Sequence, residues 1–441
     1  MKTKKAVEGV KTALIAVLIA GAVFLGGKTG LFNDMLSALP FFSGEAPAVV
    51  SASRAEEGGL PAKEAARPLC IVITDAAGER YGVKYDTVSR NAIYDRTSSI
   101  FGEALGSASG FSQVSEEAWR EALSGAGIYY EYIVPVEFPV LNAWLGVRAN
   151  DSGEGTRVRQ LLVAFGGGKN ALYYRDSDSG AFYSADTASS AVITEELELH
   201  SANDVMFAYE TGARAAGLSP YMLLTSELAH SELSAVQGAS AEELLEIALG
   251  AIGHADEAYT APFLNSEGTL TCVGEQFDIS VTRDGAVSYR RSVIPRAEEG
   301  RRAPTSGELI EKARVIVSDI FGVLPNEAEL FFESCDFSSS QICSVTFGYY
   351  IAGGRIHLRE EGYAAKLTFR EGALLNADVR VRSYSATEEQ AQLLPEMLAL
   401  AAAGGEFILC YSDSGQERLQ PFWAAAEDNA PPDSAAHNGN G

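Results

Sequence analysis

Four lysines stand ahead of a stretch with no charge at all. Lys2, Lys4, Lys5 and Lys11 precede residues 12–27, built mainly of Ala, Leu, Ile, Val, Phe and Gly, and Lys28 closes the run. A basic start before an apolar helix keeps its lysines in the cytoplasm and sends the following chain across a membrane. At about 1.5 Å per residue the run spans about 24 Å, against a hydrocarbon core of roughly 30 Å. Lys28 can reach the headgroups with its long stem, and Leu31 and Phe32 extend the apolar length. A cleaved signal peptide needs small residues at a cleavage site soon after its apolar core. Here Gly26, Gly27, Lys28, Thr29 and Gly30 follow, Ala46-Pro47-Ala48 is too distant, and no Cys is placed for lipid attachment. The expectation is an uncleaved anchor within residues 1–33, with the N-terminus cytoplasmic, a single pass through the cell membrane, and a C-terminal ectodomain outside.

Charge narrows what that ectodomain can bind. The chain of 441 residues has a formal charge of −25, and its first 30 residues hold five lysines against one acidic side chain, so the remainder is more acidic still. Nucleic acid is excluded as a partner, because its binding depends on neutralising phosphates with Lys and Arg. Anionic lipid and anionic wall polymers are disfavoured for the same reason. Five cysteines are too few, and odd in number, for a disulfide framework. Cys70 and Cys410 sit in apolar runs and read as buried thiols. Cys335 and Cys343 are placed either to bridge across residues 336–342 or to remain thiols. No pair has the Cys-x-x-Cys spacing of a zinc or redox site.

Composition divides the rest. Residues 34–66, rich in Ala, Gly, Ser, Glu and Pro, read as a flexible stalk, and 425–441 as a disordered tail. Between them the expected fold class is α+β, a two-lobed ectodomain of antiparallel β-meanders packed with helices, with an N-terminal lobe over 67–265 and a C-terminal lobe over 266–424. The first lobe predicts a strand at 69–74, helices at 87–105 and 115–126, then short strands at 128–134, 158–165, 171–174 and 181–183 separated by glycine turns. Pro220 predicts a helix start near Ser219, and Ser240 with Glu243 predicts another. In the second lobe Asp284 and Gly285 turn a hairpin. Thr305 and Glu308 cap a helix whose Leu309, Ile310, Ala313, Ile316, Val317, Ile320 and Phe321 share one face. Alternating strands follow at 345–351, 356–358, 367–369 and 379–381. A last helix is expected over 387–402, interrupted by Pro395, and a strand over 407–411.

The ectodomain names no chemistry. No lysine follows a serine by three residues, so the Ser-x-x-Lys nucleophile is absent, as is His-Glu-x-x-His. The five histidines are isolated in sequence. His254 with Asp256 and Glu257 suits a metal ligand, a general base or, more plainly, a surface helix–loop boundary. Gly166, Gly167, Gly168 and Lys169 lack phosphate-loop spacing and lie between strand patterns, as in a hairpin turn. No catalytic residue, metal or cofactor is expected. Tyr130 and Tyr132, with Trp144, cluster as partner contacts if exposed and as core if buried. Ala13, Ala16 and Ala20, with Gly9 and Gly27, lie near one side of the membrane helix, where small residues permit close packing in lipid.

Three groups of residues resemble one known family. Trp119 and Arg120 on a helix are followed by Tyr130-Glu131-Tyr132-Ile133-Val134-Pro135 and by Leu141-Asn142-Ala143-Trp144-Leu145-Gly146. A second group runs Phe347-Gly348-Tyr349-Tyr350-Ile351-Ala352-Gly353-Gly354-Arg355-Ile356. The third is Ile408-Leu409-Cys410-Tyr411 with Leu419-Gln420-Pro421-Phe422-Trp423. With the anchor, these resemble the YycH/YycI family of membrane-anchored extracytoplasmic regulators of a WalK-type sensor histidine kinase for cell-wall homeostasis in Gram-positive bacteria. The resemblance implies no enzyme. It implies association with the kinase, and with a paralogous regulator, through the membrane helix and the ectodomain. On this basis Tyr349, Tyr350 and Trp423 join Tyr130, Tyr132 and Trp144 as candidate contacts. Two other readings stay open: an envelope or sporulation binding module contacting peptide or glycan, and a wall hydrolase without recognisable motifs.

Overall fold

Strand Cys70–Thr74 (β1) is buried at every position, which a strand requires only when both faces of its sheet are covered. The computed structural model describes residues 61–147, 155–166, 168–189, 200–211, 219–227, 229–293, 302–322, 325–339, 341–358, 362–396, 398–399 and 407–425. The expected anchor, with Ala13, Ala16 and Ala20, lies outside them, as do residues 34–60 and 426–441. Among the described residues no helix is long and apolar enough to cross a membrane.

The first sheet is formed by β1, β2 (Arg80–Val83), β3 (Ser109–Val114), β4 (Gly127–Glu137), β5 (Arg157–Gly166), β6 (Lys169–Asp176) and β7 (Phe182–Asp186). Their order is β2-β1-β4-β5-β6-β7-β3, and every pairing is antiparallel. A short helix, α1 (Ala62–Ala65), precedes it. Residues 61–66, assigned to the stalk by composition, are therefore folded, and Ala66 is buried because it packs into the core ahead of β1. Helix α2 (Thr87–Ser107) covers one face. Asp86 caps it by accepting from Ser89 N at 3.1 Å, and Ile93, Tyr94, Phe101, Ala104 and Leu105 turn inward at helical spacing. Helix α3 (Glu116–Ser124) covers the opposite face. Its Trp119 packs with Val72, Tyr129, Leu162, Phe207 and Tyr221 in a second apolar cluster. Helix α4 (Phe138–Trp144) follows β4 directly.

The chain around Ser219 and Pro220 departs from the expected helix. Two residue pairs, β8 (Met206–Phe207) and β9 (Leu223–Leu224), form a short ribbon instead. The backbone donors there go to this ribbon, with Tyr209 N donating to Pro220 O at 2.8 Å. Strand β10 (Ala229–Gln237) and helix α5 (Ala241–Ile252), capped by Ser240, come next.

The largest sheet contains β11 (Phe263–Leu264), β12 (Leu270–Val273), β13 (Phe277–Val281), β14 (Ala286–Arg291), β15 (Glu329–Ser339), β16 (Ile342–Ile351), β17 (Gly354–Leu358), β18 (Ala365–Arg370), β19 (Ala373–Arg380), β21 (Phe407–Asp413) and β23 (Pro421–Ala425). The path is β11-β12-β13-β14-β19-β18-β16-β17-β21-β23, with β15 pairing β16. One pairing, β17 with β21, is parallel. Helix α6 (Ser306–Phe321) lies against this sheet with the apolar face its spacing predicted, and its Thr305–Glu308 capping box is closed in both directions.

The helix expected over 387–402 is a strand for its first six residues. Segment β20 (Arg382–Gln392) pairs along β10, and β22 (Arg418–Leu419) pairs β10 on its other side. Ala, Glu and Gln favour a helix locally, but β10 offers an edge of unpaired backbone groups, and tertiary pairing overrides the preference. The whole is α+β with predominantly antiparallel sheets.

Helix α6 sets a test of relative magnitudes. Ile320 is fully buried, so Ile320→Ala is expected to lower stability by about 3 kcal/mol. Thr305→Ala, which loses one cap, is expected to lower it by about 1 kcal/mol. Urea unfolding midpoints should rank wild type above Thr305→Ala above Ile320→Ala.

Candidate functional site at the junction of the two large sheets

Buried charges gather where the first sheet meets the largest one. At the start of β15, Glu329 accepts from Arg67 Nη1 at 2.9 Å and Asn91 Nδ2 at 2.8 Å, and from Arg90 as well. The Arg90 side chain is 1% exposed. Its guanidinium also lies 5.7 Å above the Phe331 ring. Arg67 follows α1, Arg90 and Asn91 sit on α2, and Glu329 comes from more than two hundred residues later. A cleft of about 260 Å³ opens beside this group, lined among others by Glu64, Arg67, Asn91, Ser318, Glu327 and Phe332.

A second carboxylate is wholly enclosed. Glu396, 0% exposed, accepts from Lys84 Nζ at 2.7 Å and Thr225 N at 2.6 Å, and from the Tyr85 hydroxyl. Burial first, and then the Glu396 charge, push the Tyr85 hydroxyl well above the usual tyrosine range. His230 stands edge-on to Tyr85, with ring centroids 4.8 Å apart, and 5.8 Å from Trp423. Burial and the Lys84 charge hold its pKa below the ordinary histidine value, against the opposing pull of Glu396.

The third group lies on the large sheet. Glu333 takes a bidentate pair from Arg355, Nε at 2.7 Å and Nη2 at 2.9 Å, plus the Tyr350 hydroxyl at 3.1 Å. The turn that leads into Arg355 reaches the first sheet. Ala352 N donates to Thr87 Oγ1 at 3.1 Å. Gly353, at φ +68°, packs so closely that a Cβ there would meet the Lys84 carbonyl at 2.6 Å. Only glycine combines that backbone with that approach. A fourth link joins α6 to β4, with Ser306 Oγ donating to Glu137 at 2.8 Å.

The aromatic side chains singled out from the sequence do not form a surface. Tyr130 is buried with its ring stacked 3.7 Å from Phe101. Tyr132 and Tyr349 are core residues too. Trp144 is buried and donates Nε1 to Glu311 at 3.0 Å, and Tyr350 is buried against Glu333. Trp423 is partly buried, and its Nε1 donates to Leu394 O at 2.9 Å. Each packs against a helix or strand distant in sequence, so a partner would meet their neighbours and not these rings. His254 is likewise interior: it stacks 4.1 Å from Phe277, with Tyr289 Oη at 3.0 Å and Glu257 at 2.9 Å. Cys70 and Cys410 are buried, as expected, and burial pushes the Cys410 thiol up to about 12. Among the described residues no group of three or more His, Cys, Asp or Glu is placed to hold a metal ion.

The residues that matter at the junction were invisible as a motif. Glu329, Glu333 and Arg355 do share one signal, a charge inside or at the edge of an apolar strand run, which burial makes expensive unless it is paired.

The sequence matches no known protein family, and no curated protein matches it. The structure does have a relative. The crystal structure of YycH from Bacillus subtilis aligns with a TM-score of 0.52 at 15% identity, over 83% of this chain and 95% of that one. The chain has the YycH fold. The fold expected from the three residue groups is thereby found, while the identity of 15% leaves individual side-chain roles to this chain's own geometry.

Removing one member of a buried pair leaves the other charge uncompensated. Glu329→Gln is expected to lower stability by about 3 kcal/mol, and Arg67→Met by clearly less, since Arg90 and Asn91 still hold the carboxylate. Urea titrations of both variants check the order. His230 gives a pH test. Its folded pKa is depressed, so the unfolded chain takes the proton first as pH falls. The stability this group contributes is complete above about pH 6.5 and is lost below it. Between about pH 7.5 and about pH 5.5, His230→Phe should lose less stability than wild type in urea midpoint measurements.

Proposed function

We propose that this chain is a non-enzymatic, membrane-anchored regulator acting outside the cytoplasm, which binds a sensor histidine kinase of a cell-wall-homeostasis two-component system and biases its signalling state. The observation that carries the reading is the YycH fold, found over most of the chain. It is supported by the basic and apolar N-terminal run, by the absence of catalytic motifs in the sequence, and by the acidic balance that disfavours nucleic acid and anionic polymers. Association with the kinase and with a paralogous regulator would use the membrane helix around Ala13, Ala16 and Ala20 together with the ectodomain surface.

Such a regulator acts only by binding one kinase state better than the other. Moving an equilibrium from one extreme to the other takes about 5.5 kcal/mol of differential affinity. A body whose two large sheets are locked by buried ion pairs suits that task, because a yielding body would absorb the difference as its own deformation. The alternative, a module contacting peptide or glycan, called for a pocket lined by the aromatics of 129–144. Tyr129, Tyr130, Tyr132 and Trp144 are instead packed in the interior.

Crosslinking in native membranes followed by affinity capture of the full-length chain is expected to recover a sensor histidine kinase. Scrambling residues 12–27 should abolish recovery while leaving the ectodomain folded. A full-length chain that stays in the soluble fraction, or a purified chain that turns over a wall substrate, would overturn the proposal.

A further inference from the structure

Two of the five cysteines lie sulfur to sulfur. Cys335 is on β15 and Cys343 on β16, and their Sγ atoms are 3.1 Å apart. The strand register sets Cys335 opposite Val345 and Phe337 opposite Cys343. Both side chains therefore project from the same face of the ribbon as diagonal neighbours, a relation in which long-range side-chain contact is normal. The ladder shifts register on each side of this segment, between Phe332 and Ser334 and between Phe337 and Ser339. Such bulges bend the strand and raise its local twist, which draws one diagonal together. Cys343 is buried, whereas Cys335 is partly exposed, and Phe337 beside it is half exposed. Among the described residues β15 pairs with β16 alone. Solvent thus reaches one sulfur of the pair, and the second waits directly behind it.

The other three cysteines differ. Cys70, Cys272 and Cys410 are buried. Packing alone would account for one small apolar thiol on this ribbon. It does not call for two in contact across β15 and β16, where β15 also carries Glu329 and Glu333.

We propose that Cys335 and Cys343 form a reversible dithiol–disulfide site, oxidised by small-molecule disulfides, which staples β15 to β16. In the first step one sulfur of the pair, deprotonated, attacks one sulfur of the oxidant. The oxidant's S–S bond breaks, and one thiol leaves carrying a proton. In the second step the other sulfur of the pair, deprotonated, attacks the protein sulfur of the mixed disulfide, the new intramolecular bond forms, and the second thiol leaves with the other proton. Two electrons and two protons pass from the protein to the oxidant. The product closes a short ring that encloses the second register shift. It fixes the strand whose first residue holds Arg67 and Arg90, so oxidation stiffens the junction and reduction releases it.

The test counts thiols on the full-length chain in detergent. Protein is incubated with oxidised glutathione, denatured, alkylated and analysed by intact mass and peptide mapping. Alkylation is expected to fall from five sites to three, with one crosslinked peptide joining Cys335 to Cys343, and to return to five after reduction. Cys335→Ser should show no intramolecular crosslink under the same treatment. Five alkylated sites after oxidation, a stable glutathione adduct on Cys335 that Cys343 never displaces, or a disulfide that includes Cys70, Cys272 or Cys410 would each overturn the proposal.

Discussion

Glu329 is the counterion that meets the buried Arg90 where α2 and the large sheet close on each other. An arginine as buried as Arg90 is tolerated only with a partner, and the partner is supplied from the far end of the chain. The same holds for Lys84, whose carboxylate is Glu396. Neither pair can form until both sheets are in place, and neither half of a pair is comfortable alone. The junction is therefore satisfied as a unit or not at all. Such pairs contribute little net stability compared with well-packed apolar groups. What they impose here is one mutual placement of elements that local sequence leaves unconnected, a placement reinforced by the turn at Gly353 against the Lys84 carbonyl.

The aromatic residues serve the same end by different physics. Trp119, Tyr129, Tyr130, Tyr349 and Tyr384 are among the largest fully buried side chains. They fill both sides of the first sheet and the inner face of the large one. Their hydroxyls, where buried, are mostly directed to fixed acceptors: Tyr349 to Arg380 O at 3.1 Å, and Tyr384 to Asp413 at 2.8 Å. An interior built this way leaves the acidic excess on the outside, because the internal pairs are neutral. On the proposed reading, the surface met by a partner is defined by carboxylates that repel anionic polymers, and the aromatic rings act by holding that surface in shape.

The staple proposed at Cys335 and Cys343 sits on β15, the strand that begins at Glu329 and continues through Glu333. A covalent change there reaches the junction through one strand, with no intermediate chain of contacts to invoke. A regulator needs a state that can be biased, and a strand paired along one edge and bulged at two places is less fixed than the sheet behind it.

Periodicity made much of the fold legible. Helix α6 was readable because its apolar residues recur at helical spacing behind a capping box, and the hairpin at Asp284 and Gly285 because turn chemistry and alternation agree locally. The three residue groups that resemble the YycH/YycI family pointed to the fold that the structure has, although most of their aromatic members proved to be core, with Phe422 exposed and Trp423 partly buried. The strand character of Arg382–Gln392 was not legible, since Ala, Glu and Gln favour a helix until β10 presents its unpaired edge. Nor was the short β8–β9 ribbon, whose paired residues, Met206 with Leu224 and Phe207 with Leu223, are well separated in sequence. At the junction, sequence alone set only that charges fall in or beside apolar runs. Which arginine meets which glutamate was decided by the tertiary structure, because the energy of a buried charge depends on the distance to its counterion, and that distance exists only once the sheets have met.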